Sequence, residues 1–208
     1  MRIPPVIYVG GVSSSGEATL EQVLAESGRS SSRLLRRVLA RVAKRLPFTT
    51  IRNPISGEPY LDRYYVAGGT EALRNFPADT RKRLGWLPFT VYLHHIRRPD
   101  WTTDLHNHPW NAVSMILAGG YLEERLHGDP HSDNFRIVSR WRAPWSFARI
   151  LRDDFHRISV VDGESTWTLM VVGKKGLSWS FFNPNLPRLY EWSNYLDDPT
   201  AWNGGLAR

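Results

Sequence analysis

Seven histidines carry the clearest chemical signal in this 208-residue chain, and three of them carry most of it. His106 and His108 form an H-x-H pair. On a β-strand, residues two apart point to the same face, so both imidazoles can reach one ion. Neutral imidazole nitrogen binds iron, zinc, copper, nickel and manganese. His156 opens a later run, HRISVV, and brings a third imidazole if both runs belong to one barrel. Three protein ligands leave positions open on an ion, which a catalytic metal requires. His106, His108 and His156 are therefore read as metal ligands. The chain has no cysteine, which rules out disulfides, thiolate zinc sites, iron–sulfur clusters and cysteine nucleophiles.

Carboxylates stand close to these histidines. Asp104 shares strand parity with His106 and His108, and Asp154 lies two residues before His156. Either is an alternative ligand or a neighbour that orients one. Glu123 follows a Gly-Gly-Tyr turn and would serve as a general acid or base if burial raised its pKa. His94 and His95 are adjacent on TVYLHHIRR, so alternation sends them to opposite faces. His127 and His131 flank a Gly-Asp-Pro loop and read as exposed. Trp101, Trp110, Trp141, Trp145, Trp167 and Trp179 read as core and pocket wall.

These residues need a scaffold of short strands. From residue 88 onward, β-rich runs follow one another with Gly, Pro, Asp or Asn between them, as in an all-β sandwich or barrel. Residues 47–87 are punctuated by Pro54, Gly57, Pro59, Gly68, Gly69 and Pro77. Before them, residues 17–27 read as a short helix, and Ser30–Ser32 offer caps for a second. In that second helix Leu34, Leu35, Val38, Leu39, Val42 and Leu46 form one stripe, with arginines and a lysine opposite. Residues 1–46 hold eight of the basic residues against three glutamates, so most of the net charge of +7 belongs to this extension. The stretch LYEWSNYL near the end reads as a short helix packing Tyr190, Trp192 and Tyr195. Three regions follow: a basic helical extension (1–46), a β-barrel domain (47–196) and a tail (197–208).

The stretch DLHNHPWNAVSMILAGGYLEE resembles the first metal motif of the cupin superfamily: H-x-H, three or four residues, Glu, six residues, Gly. Gly119 or Gly120 meets the glycine position. The glutamate position falls on Ala112 or Val113, so the usual fourth ligand is missing. RDDFHRISVV matches the place of the second motif, without its Pro-x-Gly or its following Asn. The pattern resembles the three-histidine cupins, which include thiol dioxygenases and related non-haem iron oxygenases. Over residues 60–196 it is also similar to uncharacterised cupin-domain proteins of phage and bacterial genomes. The resemblance implies a mainly β fold: a single cupin barrel (a double-stranded β-helix, jelly-roll-like) with N-terminal helices and a short C-terminal helix. It also implies that His94, rather than His95, faces the interior.

The expectations follow from this resemblance. Glu123, Tyr121 and His94 are the expected catalytic side chains. Arg157, Arg97, Tyr92 and Trp110 are the expected substrate contacts, because an inward arginine can clamp a carboxylate or phosphate and a buried tyrosine needs a polar partner. Arg142 and Arg149 read as outward strand charges. The expected cofactor is one divalent metal, Fe(II) before Zn, Mn or Ni. The expected activity is that of a non-haem iron dioxygenase or hydroxylase acting on a small molecule. The alternatives are a non-redox isomerase or hydrolase, or a metal-stabilised module binding nucleic acid or protein. A homodimer is a further expectation. The sequence carries no membrane-length apolar run and no signal-peptide pattern, so the cytoplasm is the expected location.

Overall fold

The computed structural model describes residues 6–8, 33–69, 71–132, 134–163, 165–176, 179–186, 188–195 and 197. The helix expected at 17–27, the serine caps at 30–32 and most of the tail lie outside the described residues. Among the described residues, thirteen strands form two sheets. The strands are β1 (Val6–Tyr8), β2 (Phe48–Arg52), β3 (Pro59–Ala67), β4 (Thr90–Ile96), β5 (Leu105–His106), β6 (Ala112–Ala118) and β7 (Tyr121–Gly128). They continue with β8 (Phe135–Arg142), β9 (Phe147–Ile150), β10 (His156–Val161), β11 (Thr166–Val172), β12 (Ser180–Asn183) and β13 (Arg188–Glu191). One sheet runs β1-β8-β7-β10-β5-β12-β13, the other β2-β3-β4-β11-β6-β9. All pairings are antiparallel except β1 with β8. Neighbouring strands come from distant parts of the chain, and the two sheets face each other across the interior. This is the cupin-type, jelly-roll-like barrel that the sequence led us to expect.

Alternation explains which side chains enter. On β6, Ala112, Ser114 and Ile116 are buried, while Val113 between them is exposed. On β4, Tyr92, His94 and Ile96 point inward. Leu93 and His95 point outward, yet they are covered. Helix α1 (Arg33–Ala43) lies there, packing Leu35, Leu39, Ala40 and Ala43 against Leu93, Ala118 and Trp167. His95 stacks on Trp167 with ring centroids 4.2 Å apart. Arg36 anchors the helix by donating to the backbone oxygen of Ser165.

The expected apolar stripe of α1 splits in two. Leu35, Leu39 and Leu46 pack on the barrel, whereas Leu34, Val38 and Val42 are exposed. A stripe this wide exceeds what one sheet face covers. The short C-terminal helix, α3 (Trp192–Tyr195), seals one end by stacking Tyr195 on Phe181 at 4.0 Å. A further helix, α2 (Ala78–Leu84), was not expected from the sequence; it packs Leu84 beside Leu73 and Tyr92.

The Gly-Gly turn between β6 and β7 is sterically obligatory. Gly119 has φ +79°, and a Cβ there would sit 2.5 Å from the Ser165 oxygen. A Cβ on Gly120 would meet the Trp141 ring at 2.7 Å. The turn therefore sets the start of β7, and with it the inward direction of Tyr121 and Glu123. Trp145, expected in the core, is instead 63% exposed and has a positive φ in the turn before β9.

Candidate metal centre and its cavity

The three histidines meet although they are not carried as the spacing suggested. The strand β5 ends at His106, and His108 stands in the segment after it. His106 pairs in register with His156 on β10. One ring nitrogen from each of His106, His108 and His156 falls within 4.8 Å of the others. His108 Nε2 and His156 Nε2 are 2.9 Å apart. The plane of His108 is fixed by stacking on Trp110, 4.2 Å away and nearly parallel.

Glu123 explains the orientation of His156. Its Oε1 lies 2.8 Å from His156 Nδ1. The same carboxylate accepts from Arg125 Nη2 at 2.9 Å and from Arg142 Nε at 2.7 Å. Burial alone would raise the pKa of a fully buried glutamate. Here the His156 hydrogen bond, the His156 charge and the Arg125 guanidinium outweigh burial, and the pKa is held well below the usual carboxylate range. An ionised Glu123 keeps the proton on His156 Nδ1 and leaves Nε2 free as an acceptor, as carboxylates do for metal-bound histidines. This corrects the acid–base role expected for Glu123, which needed a raised pKa.

The other ligand candidates behave similarly. Burial pushes His106 down to about 4, with Asp100 opposing, and takes His108 well below its ordinary value. Both are therefore neutral, the form that binds metal. Asp100 Oδ2 lies 3.9 Å from His106 Nδ1 and accepts the Ile158 amide at 2.7 Å. Asp104 does not join the cluster: it is buried against Tyr195, whose hydroxyl donates to it at 2.8 Å. Asp154 accepts from Arg125 and from the Leu151 amide. Ala112, the inward one of the two positions where the motif glutamate would fall, packs with Tyr65, Tyr92 and Met170. Three convergent imidazoles, one held by a buried carboxylate, make a donor set that fits a divalent transition metal.

The triad lines a cavity of about 370 Å³ between the sheets. His94, Tyr121 and Trp110 line it, as expected. Burial, then the Arg63 charge, lowers the His94 pKa well below its ordinary value. The Tyr121 hydroxyl is shifted upward by burial and by Glu123. Three expected substrate contacts lie elsewhere. Tyr92 is packed in the core, edge-on to Tyr65 at 5.2 Å and stacked beneath His94. Arg97 pairs with Asp62 on the far face of its sheet. Arg157 pairs with Glu124 at 2.5 Å and also donates to the Thr103 carbonyl. Arg142 reverses its expected direction: it is buried and aimed at Glu123.

Several cavity residues were not foreseen. Tyr60 and Arg63 come from β3, Asp100 from the loop after β4, Thr168 and Met170 from β11, and Lys175 from the segment before β12. The run PYLDRYYVA carries no usable signal for Arg63, because Leu61 and Tyr65 on its parity are matched by Tyr64 and Val66 on the other.

No protein-family profile matches this sequence. No curated protein matches it either. Solved structures are similar in part. One is Fe(II) HppE, 11% identical over 62% of this chain and 57% of that one, with a TM-score of 0.42. The present chain thus spans just over half the length of that protein. Another belongs to the DMSP lyases RdDddP and RnDddQII, 15% identical over 74% of this chain and 73% of that one, TM-score 0.47. A third is a cupin-like protein from Thermotoga maritima, 14% identical over 54% of this chain and 68% of that one, TM-score 0.35. At this level of likeness the description of the fold rests on the strand order and the inward faces given above: the chain folds as a cupin-type barrel with a three-histidine cluster in its interior.

Proposed function

We propose that the chain is a metal-dependent enzyme that acts on a small molecule in the barrel cavity, with Fe(II) as the resident ion and oxygen chemistry as the reaction class. The observation that carries this reading is the histidine triad opening onto the cavity, with His156 held by ionised Glu123. His106, His108 and His156 would hold the metal. A bound divalent ion supplies Lewis-acid or redox chemistry at the coordination positions that three imidazoles leave free. The protein's own groups do the rest. Glu123 keeps the Nδ1 proton of His156 and so its ligand tautomer. Trp110 fixes the His108 ring. Ile96, Ile158 and Met170 exclude water from the substrate side. Tyr121 retains its hydroxyl proton over the working pH range and is available as a hydrogen-bond donor.

A non-redox isomerase or hydrolase with zinc, manganese or nickel is the second reading, favoured by the same donor set, because imidazole serves all these ions. Fe(II)-loaded protein screened against a panel of small metabolites decides between them. Oxygen uptake that needs both the metal and a panel member supports the oxygenase. Turnover of a panel member under strict anaerobiosis selects the non-redox enzyme.

A further inference from the structure

Arg63 is an anomaly among the arginines. Among the described residues that are not exposed, Arg125, Arg142 and Arg157 end on carboxylates, and Arg36 ends on Ser165. Arg63 lines the cavity with no carboxylate of the described residues in ion-pair reach. Its Nε donates to His94 Nε2 at 3.2 Å, which uses one corner of the guanidinium. The carbon at its centre sits 5.0 Å from the centroid of the Tyr92 ring, and that ring also stacks beneath His94. The side chain is thus braced in a fixed pose by an aromatic floor and an imidazole, and among the described residues its remaining N–H groups meet no acceptor. Bracing costs rotamer freedom in advance, which lets a planar fork bind a carboxylate or phosphate oxygen pair with little further ordering.

The rest of the wall narrows the ligand. The acidic group of the cavity, Asp100, is occupied by the Ile158 amide and faces His106. Lys175 stands at the exposed side. Ile51, Ile96, Met170 and Trp179 supply apolar surface. A neutral polar ligand would leave the guanidinium unmatched, and a cation would be repelled by it.

We propose that the cavity binds a small organic anion, its carboxylate or phospho group held by Arg63 and its apolar body along the Ile96–Met170 wall, so that its far end meets the histidine triad. The inference rests on the reading of the triad as the reacting centre, but anion binding is measurable without turnover.

The test uses the purified full chain loaded with zinc, which is redox-silent, and isothermal titration with phenylacetate and its neutral analogue phenylacetamide. Wild type binds phenylacetate about tenfold or more tighter than the amide, as one charge-assisted hydrogen-bond pair provides. Arg63→Met abolishes that preference, keeps the amide affinity and keeps one zinc per chain. Arg63→Lys, which preserves charge and much of the volume, restores part of the preference, and it carries the test if Arg63→Met does not fold. A preference that survives Arg63→Met overturns the proposal, as does one lost on Lys175→Met or on chelating the zinc of wild type, which would put the anion on the lysine or on the metal. Failure of wild type to bind phenylacetate up to about 10 mM overturns it as well. The two readings fail separately: an Arg63-dependent preference in a chain that holds no metal sinks the metal centre and leaves the anion site standing.

Discussion

Two buried carboxylates flank the histidine cluster, and they sit in opposite electrostatic worlds. Glu123 is ringed by Arg125, Arg142 and His156, and stays ionised although no solvent reaches it. Asp104 is equally buried but has the neutral Tyr195 hydroxyl as partner, and burial pushes it up to about 6, with the Tyr195 hydrogen bond and the Arg157 charge opposing. Burial by itself says little about the charge of a carboxylate; the count of cations that touch it decides. Of the two, Glu123 is the one that lies against an imidazole of the histidine cluster. Asp104 ties the β5 segment to the C-terminal helix through Tyr195 and Thr102.

The largest break in this comparison comes from Glu123→Leu. It leaves the buried Arg142 and half-buried Arg125 guanidinium groups short of their common partner and should cost about 3–5 kcal/mol of stability by urea unfolding. A loss within about 1 kcal/mol would mean that the network contributes no more than an exposed pair. Glu123→Gln tests the tie to His156 alone. An amide can still face the arginines, but it is a weak orienting partner for the imidazole. Metal affinity should fall about 10–100-fold in competition with a chelator, with the fold retained by circular dichroism.

Asp104→Asn probes the other carboxylate through pH. Its folded pKa is raised, so the folded state holds the proton more tightly than the unfolded chain does. The stability tied to that proton is full below the unfolded value of about 3.9 and is lost as pH rises through about 6. Wild type should therefore lose of order 1–2 kcal/mol relative to Asp104→Asn between about pH 4 and pH 7. Parallel stability profiles for the two proteins would contradict the raised pKa. Glu123 has the reverse sign, its contribution being present at neutral pH and lost as pH falls. The smallest effect belongs to the exposed pair Arg98–Glu58, both side chains 54% exposed. Arg98→Ala should change stability by no more than about 1 kcal/mol, read from the same urea curves.

The same contrast shows what the amino-acid order could and could not reveal. Strand alternation put His94 and His95 on opposite faces, the cupin resemblance turned His94 inward, and ligand type with that resemblance picked out the histidine triad, although His108 stands beyond the end of β5. The pairing of Arg142 with Glu123 was not legible: both lie on β-patterned runs, and an arginine on a strand usually faces outward. Whether the pKa of Glu123 or of Asp104 was raised or lowered depended on which arginines the sheet register brought alongside. Parity marked Asp104 as a neighbour of the histidines and the Gly-Gly-Tyr turn marked Glu123, and only three-dimensional contacts separate the two. The strands β2 and β3 were obscured by Pro and Gly around them, so the cavity face carrying Arg63 went unread. The exposed half of the α1 stripe was hidden because sequence shows how wide an apolar stripe is, not how much partner surface it finds.

The central claim is that His106, His108 and His156 hold one metal ion. Metal analysis of wild type and His156→Ala, each incubated with Fe(II) or zinc and freed of excess by gel filtration, tests it most directly. The account predicts about one ion per chain in wild type and loss of that ion in His156→Ala. Full occupancy in the variant, or none in wild type, would contradict it.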